Sequence, residues 1–81
     1  RFPCLKMAYE AGRQGGSCPT VLNAANEAAV DLFLKDKISF LEIEEVVYQA
    51  LSSHQMIVNP TLEEILHIDC DVRRQIMTEY K

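Results

Sequence analysis

Apolar residues recur every three or four positions along most of the chain, which is the spacing of one face of an α-helix. Near the amino terminus this spacing predicts a first helix over about residues 3 to 12 or 13. Its apolar positions are Phe2, Leu5, Ala8 and Tyr9. Pro3 suits the first turn, where a missing N–H costs nothing. Gly15 and Gly16 follow, and we expect both to take positive φ angles at the chain reversal.

The second predicted helix starts near Pro19 or Thr20 and is the most apolar segment of the chain. Its continuous apolar stripe consists of Val21, Leu22, Ala25, Ala28, Ala29 and Leu32. Such a stripe packs against other elements, so we expect this helix to be the most buried and its alanines to allow close approach of neighbouring helices. The narrow line expected to face water consists of Ala24, Glu27, Asp31 and Lys35.

Two capping boxes mark the starts of the remaining helices. Ser39 and Glu42 form the S-x-x-E box of a third helix, with Ile38 and Ile43 at the positions of a hydrophobic staple. This helix is expected to end at the polar residues 52–55, and the short apolar linker 56–58 that follows has no assignable period. A T-x-x-E box after Asn59-Pro60 opens a fourth helix, and its members are Thr61 and Glu64.

The fourth predicted helix carries an apolar stripe formed by Leu62, Ile65, Ile68, Val72 and Ile76. Asp69 and Asp71 could cap a new segment, so the pattern fits one long helix or two abutting ones. No segment alternates with period two, which predicts almost no sheet. Four helices joined by short loops in 81 residues predict a single all-α domain, a small four-helix bundle.

Composition excludes several classes of function. The net charge of −4, with its basic residues scattered between acids, has the wrong sign for a nucleic-acid binder. No apolar run approaches the roughly 20 residues that span a bilayer, so we expect no membrane association. Three widely spaced cysteines are typical of reduced thiols in a cytosol-like compartment, and we expect Cys4 and Cys70 to be packed thiols. Because the sequence opens at Arg1 rather than methionine, we expect a segment of a longer protein.

Two motifs suggest chemistry at first sight. His67-x-x-Cys70 has metal-capable side chains one helical turn apart, but no second ligand pair stands at a zinc spacing, so a polar helix face is the simpler interpretation. The glycine-containing run 12–17 lacks both phosphate-loop spacings and follows a helix instead of a strand, which favours a helix end and a turn. Acidic residues in the first turns of two helices are favoured there by the helix dipole.

Asn23, Asn26 and Glu27 are the unusual residues of the second helix. Spacings of three and four place them on neighbouring parts of one helix surface. A buried amide without a partner costs about 1–3 kcal/mol, so the asparagines should reach loop backbone or face another domain. Three roles remain open for the set: capping and locking of the bundle, an interdomain contact, or a direct contact with substrate.

Four ordered blocks of sequence resemble one known family. They are Phe2–Gly12, Pro19–Glu27, Lys37–Ile43 and Asn59–Leu66. Together they resemble the C-terminal domain of 1-deoxy-D-xylulose 5-phosphate reductoisomerase in order and approximate spacing, and the segment from His67 onward matches least. The resemblance covers nearly the whole chain and implies a small helical bundle, in agreement with the periodicity.

Function comes only from this resemblance. It implies a parent enzyme that uses NADPH and a divalent metal, Mg or Mn, to convert 1-deoxy-D-xylulose 5-phosphate to 2-C-methyl-D-erythritol 4-phosphate in the non-mevalonate pathway of isoprenoid biosynthesis. The family's dinucleotide-binding and catalytic domains lie upstream and are absent from these 81 residues. The resemblance therefore implies a non-catalytic structural domain with no catalytic, cofactor-binding or metal residue of its own.

The implied partner is the remaining catalytic domain of the same enzyme, in a homodimeric parent of the cytoplasm or, in a eukaryote, of a plastid-type organelle. Asn23, Asn26 and Glu27 are the candidates for interdomain or helix-locking contacts. The alternative is a free-standing helical interaction module, which four ordered blocks of similarity argue against.

Overall fold

Three α-helices follow one another in residues 15–80, the part of the chain that the computed structural model describes. They are α1 (Cys18–Leu34), α2 (Phe40–Ser53) and α3 (Leu62–Glu79). Residues 15–80 contain no β-strand, and the all-α prediction is confirmed. The four-helix bundle is not supported, because the described residues hold three helices. The helix predicted over residues 3 to 12 or 13 lies outside them.

Both predicted capping boxes are formed. At the start of α2 the Ser39 hydroxyl accepts from the Glu42 N–H at 3.3 Å, and the Ser39 N–H donates to the Glu42 carboxylate at 2.7 Å. Thr61 and Glu64 make the same reciprocal pair at the start of α3, at 3.1 and 2.8 Å. These bonds satisfy backbone donors that have no partner inside a helix. The sequence therefore fixed both helix starts locally.

The end of α1 has a turn that the hydrophobic pattern does not reveal. Asp36 has a φ of 60°, and its N–H donates to the Phe33 carbonyl at 3.0 Å. The Lys37 N–H reaches back to the Leu32 carbonyl at 2.9 Å. These two bonds form a Schellman motif, with aspartate at the left-handed position that glycine usually occupies. The chain then reverses, and Ile38 and Ile43 are both buried around the α2 start.

Helix α1 lies between the other two helices. It packs against α2 and α3, whereas α2 and α3 meet each other only weakly. Four of the seven buried residues of the helix are alanines; the full set is Cys18, Val21, Ala24, Ala25, Ala28, Ala29 and Leu32. Ala24 was expected to face water and is instead fully buried, because coverage from two sides widens the buried arc beyond a single stripe.

Helix α3 is continuous from Leu62 to Glu79, which decides between one long helix and two abutting ones. Asp69 and Asp71 cap no new segment; their carboxylates pair with Arg73 and Arg74 within the same helix. Leu62 was assigned to the buried stripe but is 72% exposed. None of the helices within residues 15–80 is long and apolar enough to cross a membrane.

Candidate functional site

Asn23, Asn26 and Glu27 all lie on the exposed side of α1. The hydrogen bonds between described side chains do not involve either asparagine amide. Because water can satisfy an exposed amide, the cost of burying one does not arise within residues 15–80. The two amides are accessible to further parts of a larger protein, and an interdomain role for the three residues stays a prediction.

Glu27 forms a charged network with two residues of α3. Its carboxylate accepts from the Arg73 guanidinium at 2.6 Å, and the same guanidinium donates to Asp69 at 3.0 Å. The hydrogen bonds that the guanidinium donates to Asp69 and, with a smaller effect, to Glu27 raise the pKa of Arg73 above its usual value. The guanidinium is partly exposed and so remains partly screened by water. The network ties α1 to α3 through side chains 46 residues apart in sequence.

Replacing Arg73 by alanine is expected to lower the free energy of unfolding by about 0.5–1 kcal/mol, because a partly exposed network contributes little. The matched control is Arg74→Ala, since Arg74 pairs only within α3, with Asp71. Urea titration of both variants at low salt and at 1 M salt checks the prediction. Arg73→Ala should be the more costly change, with a difference that shrinks at high salt. Equal losses would contradict a tie between the helices.

A second tie joins the start of α1 to the linker after α2. Ser17 is fully buried, its N–H donates to the Ile57 carbonyl at 3.0 Å, and its hydroxyl accepts from the Ile57 N–H at 2.8 Å. The same hydroxyl oxygen lies 2.6 Å from Nε2 of His54. The hydroxyl can donate its own proton to Nε2 of a neutral imidazole, and with Nε2 protonated its second lone pair can accept instead.

A serine hydroxyl on a histidine nitrogen is also how a base activates a nucleophile. Ser17, however, has no exposed surface, and its oxygen is occupied by the Ile57 N–H. A substrate carbonyl would have to displace both the backbone bond and the packing around it. The arrangement therefore holds the linker against α1 rather than carrying out acyl transfer.

The neutral His54 predicts a dependence of stability on pH. Burial lowers the pKa of His54 below 6.5 in the folded chain, because desolvation disfavours the charged ring. The unfolded chain then binds the proton more readily, so stability is full above about pH 6.5 and falls as the pH drops through the folded-state pKa. Urea titrations at pH 7 and pH 5 should show this loss for the wild-type chain.

The control for this prediction removes the titrating ring. His54→Gln should lower stability at pH 7 and flatten its change between pH 7 and pH 5. His67→Gln, at an exposed histidine of α3, should leave the change as in the wild type. If the His54→Gln variant keeps the wild-type change in stability between pH 7 and pH 5, that change arises from other groups.

A groove of about 500 Å³ lies between α2 and α3, where the two helices hardly meet. Its lining is mixed and includes Val46, Ile68 and Ile76 together with His54, His67 and Asp71. Within residues 15–80 no three His, Cys, Asp or Glu side chains come together as metal ligands. Nothing in the groove pairs a nucleophile with a base, and the expectation that this chain binds no metal or cofactor stays a prediction.

Cys70 corrects one expectation about the thiols. It was expected to be packed and is exposed, whereas Cys18 is buried. Ile68 and Val72 lie on the inward side of α3. Cys70 is two positions from each of them, which turns it about 200° around the helix and places it on the outer side. Cys4 lies outside the described residues.

The polar ties between elements are the residues that sequence reasoning missed. They are Ser17, which bonds to His54 37 positions away, and Arg73, which bonds to Glu27 46 positions away. No local motif marks them, although Ser17 stands directly after the two glycines and before the most apolar helix. The described residues thus define a small all-α module whose polar groups hold its helices together.

Comparisons with known proteins agree with that class. The model of the DXP reductoisomerase C-terminal domain family matches residues 1–75. Relatives named 1-deoxy-D-xylulose 5-phosphate reductoisomerase include those of an Exiguobacterium species, 60% identical over 94% of this chain, and of Shouchella clausii, 57% identical over the same share. A Bacillus cereus relative is 52% identical over 98% of the chain. No solved structure gave a match.

The chain belongs to the family of DXP reductoisomerase C-terminal domains. It spans 20% of the length of the Exiguobacterium and Shouchella relatives and 21% of the Bacillus cereus relative. The resemblance inferred from the four sequence blocks is confirmed.

Proposed function

We propose that this chain is the C-terminal structural domain of a longer 1-deoxy-D-xylulose 5-phosphate reductoisomerase. The parent enzyme converts its substrate to 2-C-methyl-D-erythritol 4-phosphate with NADPH and Mg or Mn, in the non-mevalonate pathway of isoprenoid biosynthesis. The observation that carries the proposal is the family match over residues 1–75. The Exiguobacterium relative, of which this chain spans 20%, supports the view that the parent is longer. Its own contribution is to fold, and to support the domains that do the chemistry.

The side chains of the described residues fit such a supporting role. The charged network of Arg73 and the buried hydroxyl of Ser17 both join separate elements of the helical module. No three metal-ligating side chains meet within residues 15–80, and we assign no step of the reaction to these residues. NADPH and the metal belong, in this proposal, to the upstream domains.

The proposed partner is the rest of the same enzyme, in a homodimer of the cytoplasm or of a plastid-type organelle, with no nucleic acid or membrane. Asn23 and Asn26 are exposed on α1 and present amides that can donate to and accept from the backbone of another domain. Glu27 serves the module itself through Arg73.

The test measures NADPH oxidation with 1-deoxy-D-xylulose 5-phosphate and Mg²⁺. The intact parent is compared with the parent truncated before Arg1, with and without this chain added back. We expect the intact parent to be active, the truncated parent to lose most of its activity, and added chain to restore part of it. An intact parent without activity on this substrate would refute the proposed function.

A matched pair of variants tests the asparagines in the intact parent. Asn23→Ala with Asn26→Ala should reduce the thermal stability and activity of the parent, if these amides contact another domain. Gln49→Ala is the control, because Gln49 is an exposed amide of α2 that bonds only one turn away, to Glu45. If the asparagine variant and Gln49→Ala have the same thermal stability and activity, the asparagines do not contact another domain.

A further inference from the structure

Four exposed apolar side chains lie at the start of α3 and in the linker before it. Leu62 and Leu66 are 72% and 61% exposed and lie four residues apart, so they are neighbours on one helix face. Met56 and Val58 are exposed in the linker that leads into this helix. We call these four residues the α3 ridge. Single exposed leucines are common in soluble proteins, but adjacent ones on a helix face are the usual mark of an interaction surface.

The preceding polypeptide reaches the helices beside this ridge. Gly16 lies so close to the linker that a Cβ placed on it would come within 2.5 Å of the Ile57 carbonyl and 3.1 Å of the Met56 sulfur. Ser17 then bonds to Ile57 through both its backbone and its hydroxyl. Whatever precedes residue 15 therefore enters at Met56 and Ile57, where the ridge begins.

The ridge lies on the same side of the molecule as the α1 residues predicted to contact another domain. The Ser17–Ile57 tie joins the start of α1 to the linker before α3, and the Glu27–Arg73 tie joins the middles of the two helices, so the helices run in the same direction. Leu66 is seven residues, about two helical turns, before Arg73 and shares its side of α3. Going back one turn from Glu27 on α1 reaches the exposed Asn23.

We propose that the α3 ridge is the surface on which the upstream part of the same enzyme docks. This inference rests on the proposed function, since it requires a parent of which the chain is about one fifth. An apolar centre of Leu62 and Leu66, with charged Glu63 beside it and Asn23 nearby, has the composition of an interface core and its rim. The upstream domains are joined through residues 1–14 to Gly15 and Gly16 beside the ridge, and this tether raises their local concentration near it.

The experiment cuts the parent and asks whether its parts stay together. A specific protease site is inserted before Arg1 of the intact parent, and the enzyme is cleaved after folding and passed over a size-exclusion column. Three forms are compared: the wild type, Leu62→Ser with Leu66→Ser, and the control Leu41→Ser. Leu41 is a matched leucine, 78% exposed in the first turn of α2.

We expect the cleaved wild type and Leu41→Ser to elute as one species, and the ridge variant to release the 81-residue domain, with affinity reduced at least tenfold. Release of the domain from the wild type, or retention in the ridge variant, would overturn the proposal. A free domain that elutes at twice its own mass would assign the ridge to a second copy and would also overturn it.

Two readouts separate this inference from the proposed function. NADPH oxidation is measured on every parent before cleavage, so a wrong assignment of activity appears there and not in the elution. Circular dichroism of each intact parent shows whether the ridge variant has kept its helices. Serine at exposed positions should leave helix content unchanged, and a ridge variant that loses helix before cleavage counts against an exposed ridge.

Discussion

Leu32→Ala should lower the free energy of unfolding by about 2–5 kcal/mol, the largest effect expected of a single truncation in this chain. Leu32 is among the largest side chains that are almost completely buried, and it belongs to the cluster shared by all three described helices. The other buried residues of that cluster are alanines, which are short, and valines and isoleucines, which are stiff at χ1, so the cavity closes poorly.

Leu34→Ala is the matched control, because Leu34 lies two residues further along α1 and is exposed. Its loss should be within about 0.5 kcal/mol of the wild type. Urea titration followed by circular dichroism compares the two. In a domain of this size the Leu32 variant should show little or no folded baseline. Similar stabilities for the two variants would mean that α1 is not packed at the centre.

Gly16→Ala should lower the free energy of unfolding by about 2–4 kcal/mol, for two separate reasons. Its φ of +56° is a left-handed conformation that costs an alanine about 1–2 kcal/mol. The added Cβ would also lie 2.5 Å from the Ile57 carbonyl, a backbone atom that can withdraw only by moving the linker. That movement would stretch the bonds between Ser17 and Ile57, and Ser17 is buried.

The neighbouring glycine separates these two causes. Gly15 has a φ of +69°, yet a Cβ on it would meet nothing within 4 Å. Gly15→Ala should therefore lose only the backbone contribution, about 1–2 kcal/mol. Thermal and urea unfolding of both variants measures the difference. If the two alanine variants are equally stable, the close approach of the linker to Gly16 does not hold in solution.

The parts of the fold that depend on neighbouring residues were predictable from the sequence. Capping boxes fixed the starts of α2 and α3, because their hydrogen bonds join residues three positions apart. Gly15 and Gly16 were expected to take positive φ angles and do so. The apolar stripe of α1 correctly predicted the most buried of the three described helices, because apolar residues at helical spacing form a face that packs against other elements.

The parts that depend on distant residues were not predictable. Ala24 was predicted to be exposed and is buried, and Leu62 was predicted to be buried and is exposed. Helical spacing shows which residues share a face, but it does not show how many neighbouring elements cover that face. The bonds of Ser17 to Ile57 and of Arg73 to Glu27 join residues 40 and 46 positions apart, and no spacing rule connects them. The exposure of Asn23 and Asn26 depends on the same packing, which placed both outside the contacts of α1 with α2 and α3.

The central place of α1 also determines how the chain responds to several changes at once. Because α2 and α3 hardly touch within residues 15–80, a disturbance of one reaches the other mainly by way of α1. Distant sites without shared partners are energetically additive, whereas contacting residues couple by about 0.5–3 kcal/mol. Substitutions on the outer faces of α2 and α3 should thus sum independently, while pairs that include α1 should not. The two outer helices are free to vary separately in sequence, and α1 is constrained by both.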